Sequence, residues 1–334
     1  MPIQYPVGPG RPSRIHGIGS YRPARVVDNE YVAQKIGVSP EWIESRSGIQ
    51  TRRYAGPTET VGAMGMAAAA KALAMAGVDP GHIGCVVVAT TSHLTQMPAL
   101  APEIAHGLGA ANASAFDISA ACAGFCHALA LGSSMVGAGT ADYVLVVASE
   151  RATDIFDEAD KSTAFLFADG AGAAVVGPAE RPGIGPVVWG SDGSRLDVIA
   201  MTNFWTPQLR TDPESPWPRL GMTGWRVYRW ATEQLVPVLV QTMAAAGVTA
   251  ADLQAFVPHQ ANLLITRALA RGLDLPGSVA ISEDIVHTGN TSAASVPLAM
   301  DSLLTSGQAN QGDLALLVGF GSGLVYAAQV VELP

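Results

Sequence analysis

The sequence contains few charged residues, few aromatic residues and very little cysteine. Of its 334 residues, 14% are charged, 6% are aromatic and three are cysteine, whereas 49% are hydrophobic. Three cysteines do not make a disulfide framework, and such usage is typical of proteins kept in a reducing compartment. The sequence therefore argues against a disulfide-stapled secreted domain and predicts a cytoplasmic protein with a large buried core.

Long apolar runs and a basic excess are also missing. Runs such as 86–89 and 314–318 have the length of a strand and fall far short of the ~20 residues that a membrane helix needs. Residues 1–14 are rich in proline and glycine and contain no apolar segment typical of a signal peptide. The net charge of −9 argues against nucleic acid or an anionic membrane as a partner. We therefore expect neither a membrane span nor a nucleic-acid partner.

Strand and helix patterns alternate along the chain, which predicts an α/β fold with parallel strands and crossover helices. In the first half the pattern predicts strands at 14–21, 83–91, 142–149 and 172–177 and helices at 60–77 and 98–108. A polar, proline-rich segment at 202–224, predicted to lie on the surface, comes before a second series: helices 225–246, 261–272 and 292–306, strand 253–257 and two closing strands. The shared order predicts two duplicated halves, residues 1–180 and 181–334.

Cys122 lies where a predicted strand turns sharply into a helix. The segment 115–118 is β-prone, and residues 122–136 contain no charge and no proline, which predicts a helix buried on all sides. A helix N-terminus favours an anion, so we expect a lowered thiol pKa and a nucleophilic Cys122. The alternative is a cysteine that only packs in the core, which such a segment alone does not exclude.

Three further segments have the composition of a catalytic site. His259 follows an apolar strand, at the strand end where open α/β sheets place their chemistry. Asn290 lies in a tight turn before a helix of small residues, and Gly319, Gly321 and Gly323 form a turn able to aim a backbone N–H into a site. Taken singly, the three segments are equally consistent with a structural histidine, a helix cap and an ordinary hairpin.

Together, the motifs AACAGF around Cys122, PHQAN around His259 and GNTSAAS around Asn290 resemble the β-ketoacyl-acyl-carrier-protein (ACP) synthase III family. The resemblance runs from about residue 14 to the C-terminus and is closest to the members that prime actinobacterial fatty acid or aromatic polyketide synthesis. It implies a homodimer with a thiolase-like α/β fold of two similar halves, layered α-β-α-β-α. It also implies an acyltransferase with no metal and no tightly bound cofactor.

The resemblance further implies a two-step reaction. Cys122 takes an acyl group from an acyl-coenzyme A (CoA) thioester, with the oxyanion held by the backbone N–H groups of Cys122 and Ser322. His259 and Asn290 then stabilise the enolate formed when malonyl-ACP loses CO2, and the enolate carbon attacks the acyl thioester. Two alternatives are an acyltransferase that uses a hydroxyl or amine acceptor without decarboxylation, and a non-catalytic partner subunit.

Other residues match substrate-contacting positions of the family. The positions for CoA and for the phosphopantetheine carried by ACP are Trp42, Arg46, Lys161, Gly224, Ala261 and Asn262. Lys161 departs from the arginine found in many relatives, and lysine cannot stack as a plane. Leu264 departs from an arginine that docks ACP, so the expected docking patch is Arg226, Arg229, Arg267 and Arg271. Met97 matches a gate to the partner's acyl pocket, where a flexible side chain predicts a primer longer or more branched than acetyl.

Overall fold

The computed structural model describes residues 10–203, 206, 208–212 and 214–334, so part of the proline-rich start and of the 202–224 segment lies outside the described residues. The strands are β1 Ser13–Tyr21, β2 Arg25–Asp28, β3 Thr51–Tyr54, β4 Ile83–Ala89, β5 Ser114–Ile118, β6 Tyr143–Arg151, β7 Asp169–Pro178, β8 Val188–Ser191, β9 Ile199–Met201, β10 Leu220–Met222, β11 Ala255–Pro258, β12 Ala280–Ile281, β13 Leu314–Gly321 and β14 Val325–Glu332. The helices are α1 Asn29–Ile36, α2 Pro40–Ser47, α3 Val61–Ala76, α4 Leu100–Leu108, α5 Gly124–Ala138, α6 Gln208–Thr211, α7 Gly224–Ala245, α8 Leu263–Gly272, α9 Ile285–Thr288 and α10 Ser295–Thr305.

Two five-stranded sheets repeat one topology. The first has the order β1-β7-β6-β4-β5 and the second β8-β14-β13-β11-β12. In each sheet the two strands at one end pair in parallel, as in β4 with β5 and β11 with β12. The strand that comes last along the chain in each sheet, β7 in the first and β14 in the second, is antiparallel to both of its neighbours. Two matching sheets with matching connections confirm the predicted repetition of α/β halves.

The helices also correspond between the halves and form three layers around the two sheets. Helices α3 and α4 pack on the outer face of the first sheet, and α7 packs on the second sheet and on α8. Helices α5 and α10 contact strands of both sheets and lie between them. The layers are therefore α-β-α-β-α, as predicted. The domain boundary at residue 180 stays a prediction, although β7 ends at Pro178 and β8 begins at Val188.

The position of α5 explains its apolar composition. Phe125, Cys126 and Leu129 of this helix are fully buried in the central core with residues from both sheets. Among the described residues, 121–138 is the one stretch long and apolar enough to cross a membrane, and half of it is buried inside the protein. A helix packed between two sheets must be apolar on all sides, which accounts for that composition.

Local sequence signals set the ends of the helices as predicted. Thr60 caps α3, where its side chain accepts a hydrogen bond from the backbone N–H of Ala63, and Gly77 ends the helix in the left-handed conformation. Ser39 caps α2 in the same way, with Pro40 at the first helical position. This second cap fixes Trp42 and Arg46 on one short helix, which matters for the site described below.

Candidate active site

One cavity of about 1080 Å3 brings the predicted catalytic residues together. It lies at the ends of strands from both sheets, and its walls include Cys122, His259, Asn290 and Ser322. Cys122 follows β5 and Asn290 follows β12, which occupy corresponding places in the two sheets, and His259 follows β11, the neighbour of β12. The sequence could place each residue at a strand end, but the packing of two sheets around α5 and α10 makes them neighbours.

Cys122 lies in a 3-10 turn, Ala121–Ala123, that leads directly into α5. Ala121 is held at φ 46°, a conformation that non-glycine residues rarely adopt and that is found at sites where the fold fixes the backbone. The end of β13 approaches this turn closely: a Cβ added to Gly321 would lie 2.7 Å from the backbone nitrogen of Cys122. Glycine at 321 therefore keeps space open beside the Cys122 N–H.

The thiol pKa differs from the sequence-based expectation. Burial, with a smaller contribution from the nearby Glu150 carboxylate, raises the pKa of Cys122 from 9.0 to about 12. Only the cavity side of Cys122 is open, so most of its surroundings are protein. A helix N-terminus is worth at most ~2 kcal/mol, or about 1.5 in pKa. The prediction of a lowered pKa is therefore wrong, and the resting residue is a thiol.

His259 is a buried, neutral imidazole in contact with Ser295. Its Nδ1 lies 2.6 Å from Oγ of Ser295, and the same Oγ accepts a hydrogen bond from the backbone N–H of Gln260. When the Ser295 hydroxyl donates to Nδ1, the ring proton lies on Nε2. Burial lowers the pKa of His259 to about 3, so the ring stays uncharged at neutral pH. The edge of the ring packs on Phe320.

Asn290 presents its amide N–H2 to the cavity for a similar reason. Its Oδ1 accepts a hydrogen bond of 2.9 Å from the backbone N–H of Ser292, which fixes the plane of the amide. Its own backbone is held by Leu166 and Ala168 of the first half, at 2.8 and 2.9 Å. His259 and Asn290 thus offer two uncharged N–H donors beside a buried thiol. Such a set can stabilise an oxyanion or enolate without a metal.

Known proteins match the chain over nearly its whole length. The family description "3-Oxoacyl-[acyl-carrier-protein (ACP)] synthase III" matches residues 116–193, and the description of the C-terminal part of that enzyme matches residues 243–333. The chain is 52% identical over 331 residues to β-ketoacyl-ACP synthase III 1 of Streptomyces coelicolor, covering 96% of both proteins. It is 49% identical to the mycobacterial β-ketoacyl-ACP synthase III of Mycobacterium avium, with 95% of the chain and 94% of that protein covered.

A solved structure agrees with these relatives. The priming β-ketosynthase from the R1128 polyketide biosynthetic pathway superposes with a TM-score of 0.96 at 51% identity, covering 99% of both chains. The chain belongs to the β-ketoacyl-ACP synthase III family. It is therefore an acyltransferase of the condensing type, with the thiolase-like fold that the motifs predicted.

In this β-ketoacyl-ACP synthase III, two cations surround the aromatic ring predicted to bind adenine. Cζ of Arg46 lies 4.9 Å and Nζ of Lys161 lies 4.8 Å from the ring centroid of Trp42, and Phe165 packs edge-on against the same ring at 5.3 Å. Trp42 and Arg46 border the cavity. The predicted cluster therefore forms in space, although its binding of CoA stays a prediction.

The remaining channel positions also border the cavity. Gly224 begins α7, and Ala261 and Asn262 precede α8. Asn262 has a structural role as well, because its Oδ1 caps α8 at Leu264 and its Nδ2 donates to the backbone oxygen of Arg46 at 2.8 Å. The Ser322 side chain turns away from the predicted oxyanion role and donates to the Ile199 carbonyl, leaving only its backbone for that role.

The predicted gate and docking residues lie outside the cavity wall. Met97 is 84% exposed, on the segment between β4 and α4. Three of the four predicted docking arginines are engaged with carboxylates: Arg226 with Asp197, Arg229 with Glu233 and Arg267 with Glu283. The two predictions, of a gate and of an ACP-docking patch, stay untested.

Sequence reasoning missed three polar residues of the site. Ser295 orients His259, Ser292 lies 3.4 Å from Sγ of Cys122, and Glu150 is a buried carboxylate 3.0 Å from Ser292. Both serines were present in the GNTSAAS motif, and a polar residue in a buried turn was the available signal. The sequence also marks Glu150, because it is the one acidic residue of an otherwise largely apolar strand and lies near the C-terminal end of that strand. Cys126, in contrast, is fully buried in the core, and His127 stacks on Trp189.

Proposed function

We propose that this chain condenses an acyl-CoA primer with malonyl-ACP, releasing CO2 and CoA and giving a 3-ketoacyl-ACP that starts a fatty acid or polyketide chain. The observation that carries the proposal is the single cavity that holds the thiol of Cys122 with the donors of His259 and Asn290. A thiol supports transfer of an acyl group, and two uncharged N–H donors support an enolate.

In the first step, the sulfur of Cys122 attacks the thioester carbonyl and CoA leaves as its thiolate. Negative charge develops on the carbonyl oxygen, which the backbone N–H groups of Cys122 and Ser322 stabilise. Gly321 supports this role, since a side chain there would crowd the Cys122 nitrogen.

In the second step, malonyl-ACP loses CO2 and the electron pair passes into an enolate. Nε2–H of His259 and the amide of Asn290 donate to the enolate oxygen, and the enolate carbon attacks the acyl group on Cys122. The neutral state of His259 suits this role, because its tautomer is fixed by Ser295 and burial keeps its pKa at about 3. The Cys122 thiolate is the leaving group.

The cavity opening fits two carriers that share a phosphopantetheine arm. Trp42, Arg46 and Lys161 form an aromatic and cationic cluster for the nucleotide of CoA, with Gly224, Ala261 and Asn262 along the channel. The acidic ACP would dock on the arginine patch defined above, where Arg271 is exposed and carries no ion pair within the described residues. The protein would act in the cytoplasm as a homodimer, with Met97 reaching the partner's acyl pocket and no tightly bound cofactor.

The test is intact-protein mass spectrometry with a panel of acetyl-, isobutyryl- and hexanoyl-CoA, followed by malonyl-ACP. We expect wild type to gain one acyl mass and then lose it to ACP with release of CO2, and Cys122→Ser to gain far less. An acyl mass that malonyl-ACP cannot discharge would favour transfer to a hydroxyl or amine instead. No acyl mass with any primer would favour a non-catalytic partner subunit.

A further inference from the structure

Glu150 is a buried carboxylate that the two proposed steps do not use. It is the last but one residue of β6, is 1% exposed and borders the catalytic cavity. Its oxygens accept hydrogen bonds from the backbone N–H groups of Thr91 and Ser92 and from the hydroxyls of Thr90, Thr91, Ser92 and Ser292. No arginine or lysine in the described part of the chain forms an ion pair with it. Burial raises the pKa of Glu150 above its ordinary value, although these hydrogen bonds oppose the rise, and a raised pKa makes the carboxylate a better proton acceptor.

Ser292 connects this carboxylate to the nucleophile. Its Oγ lies 3.0 Å from Oε1 of Glu150 and 3.4 Å from Sγ of Cys122. A hydroxyl has one hydrogen, and the nearer, charged acceptor takes it, so the S–H of Cys122 faces the oxygen of Ser292. Ser292 is also held at φ 51°, a conformation disfavoured for serine. The fold therefore maintains an unfavourable backbone to keep this hydroxyl between the two groups.

The thiol needs such an acceptor. With its pKa raised to about 12 by burial, Cys122 must lose its proton as it attacks the thioester. In the tautomer that the proposed condensation step requires, with Nδ1 accepting from Ser295 and the proton on Nε2, His259 cannot take it. The path through Ser292 leads instead to a carboxylate.

We propose that, during acylation, Ser292 passes the thiol proton of Cys122 to the carboxylate of Glu150. The inference rests on the proposed function. The sulfur forms its bond to the acyl carbon while its proton moves to Oγ of Ser292 and the serine proton moves to Glu150. The bond between the acyl carbon and the CoA sulfur breaks, and the CoA thiolate takes a proton from water. Condensation later frees the Cys122 thiolate, which recovers its proton from Glu150 by the same path.

This proton transfer from Cys122 through Ser292 to Glu150, the relay, also sets the order in which the two substrates bind. The proposed proton transfer requires a charged Glu150 in the resting enzyme, and that charge repels a malonyl carboxylate entering the same low-dielectric cavity. In the acyl-enzyme Glu150 is protonated, and that repulsion is gone. Malonyl-ACP is thus disfavoured until a primer is bound to Cys122, which suppresses wasteful decarboxylation.

The test uses the full chain and measures acylation of Cys122 in single-turnover mass spectrometry with acyl-CoA. Ser292→Gly removes the hydroxyl and accepts a positive φ, and Glu150→Gln removes the proton acceptor. We expect acylation to fall about 10²-fold in each, the usual scale for loss of a general base. We expect Glu150→Asp to recover part of the rate. The matched control is Ser134→Ala, which removes a hydroxyl that donates to the Ala130 carbonyl away from the catalytic cavity, and it should stay within threefold of wild type.

A second readout separates the relay from a structural role. Without primer, Glu150→Gln should decarboxylate malonyl-ACP faster than wild type, a gain that a damaged site would not produce. The inference is overturned if Ser292→Gly and Glu150→Gln acylate at the wild-type rate, or if Ser134→Ala is slowed as much as they are. Failure of the proposed function is distinguishable, because wild type itself would then fail to form or discharge the acyl group.

Discussion

The hydroxyl of Ser295 lies 2.6 Å from Nδ1 of His259, the ring nitrogen opposite the one that the proposed reaction uses as a donor. Ser295 is the first residue of α10, and His259 follows β11. The contact therefore joins the central helical layer to the second sheet. The imidazole nitrogen that can donate depends on this hydroxyl, so the position of α10 affects the condensation step.

We therefore expect Ser295→Ala to slow condensation while sparing acylation. Without the hydroxyl, either tautomer of His259 becomes available. The loss of one oriented hydrogen bond corresponds to a decrease of about tenfold in the rate of condensation. Single-turnover discharge of preformed acyl-enzyme by malonyl-ACP measures the effect. Ser302→Ala on the same helix is the control, and equal slowing of the acylation step would contradict the assignment.

Gly321→Ala should impair acylation most. A Cβ at this position would lie 2.7 Å from the Cys122 nitrogen and 3.0 Å from its Cβ, so it would block the backbone donor or displace the nucleophile. Loss of one hydrogen-bond donor to the oxyanion corresponds to a decrease of about 10²-fold or more in the rate of acylation. Gly193→Ala is the matched control, because a Cβ there meets open space. Both variants are compared by acyl mass gained per second, and a normal rate in Gly321→Ala would exclude this oxyanion site.

Trp42→Ala should raise KM for acyl-CoA and leave kcat nearly unchanged. Stacking of a base on an aromatic ring is worth about 1–3 kcal/mol, so the increase is roughly 5- to 100-fold. An acyl-pantetheine thioester lacks the nucleotide and should be used equally by wild type and variant. Lys161→Arg adds a planar cation beside the Trp42 ring and should lower KM. Loss of activity with both substrates would instead indicate a structural Trp42.

The pKa of His259 predicts a pH-dependent stability. Burial lowers it to about 3 in the folded chain, against 6.5 when exposed, so the stabilisation is complete above 6.5 and is lost as pH falls. Between pH 7.5 and pH 5.0, wild type should lose about 2 kcal/mol of unfolding free energy more than His259→Gln. Asp169, with a pKa raised by burial to about 6, titrates in both proteins and cancels. Urea titrations at the two pH values measure the difference, and equal losses would refute it.

Met97→Phe should narrow the choice of primer. Met97 is highly exposed in the single chain, as expected of a side chain that serves a neighbouring subunit, and phenylalanine is bulkier and stiffer. We expect turnover of hexanoyl- and isobutyryl-CoA to fall relative to acetyl-CoA. Comparing kcat/KM for the three primers checks this, and unchanged selectivity would remove Met97 from the acyl pocket.

The sequence by itself determined the elements of this fold and the identities of the three principal site residues. Caps such as Thr60 and Gly77 act within a few residues, and apolar periodicity records which faces are buried, so α3 and the repeated halves were predictable. The motifs around Cys122, His259 and Asn290 likewise carry their chemistry in adjacent residues.

Only the tertiary structure decided the electrostatics of the site. A pKa depends on every group that surrounds it, and burial by two sheets outweighs the helix N-terminus that the local sequence around Cys122 displays. Ser292 and Glu150 are 142 residues apart in the chain and 3.0 Å apart in space, and no local pattern encodes that distance. Where the chemistry depends on contacts between the two halves, the sequence identifies the residues involved. The fold determines the protonation state and the orientation of their side chains.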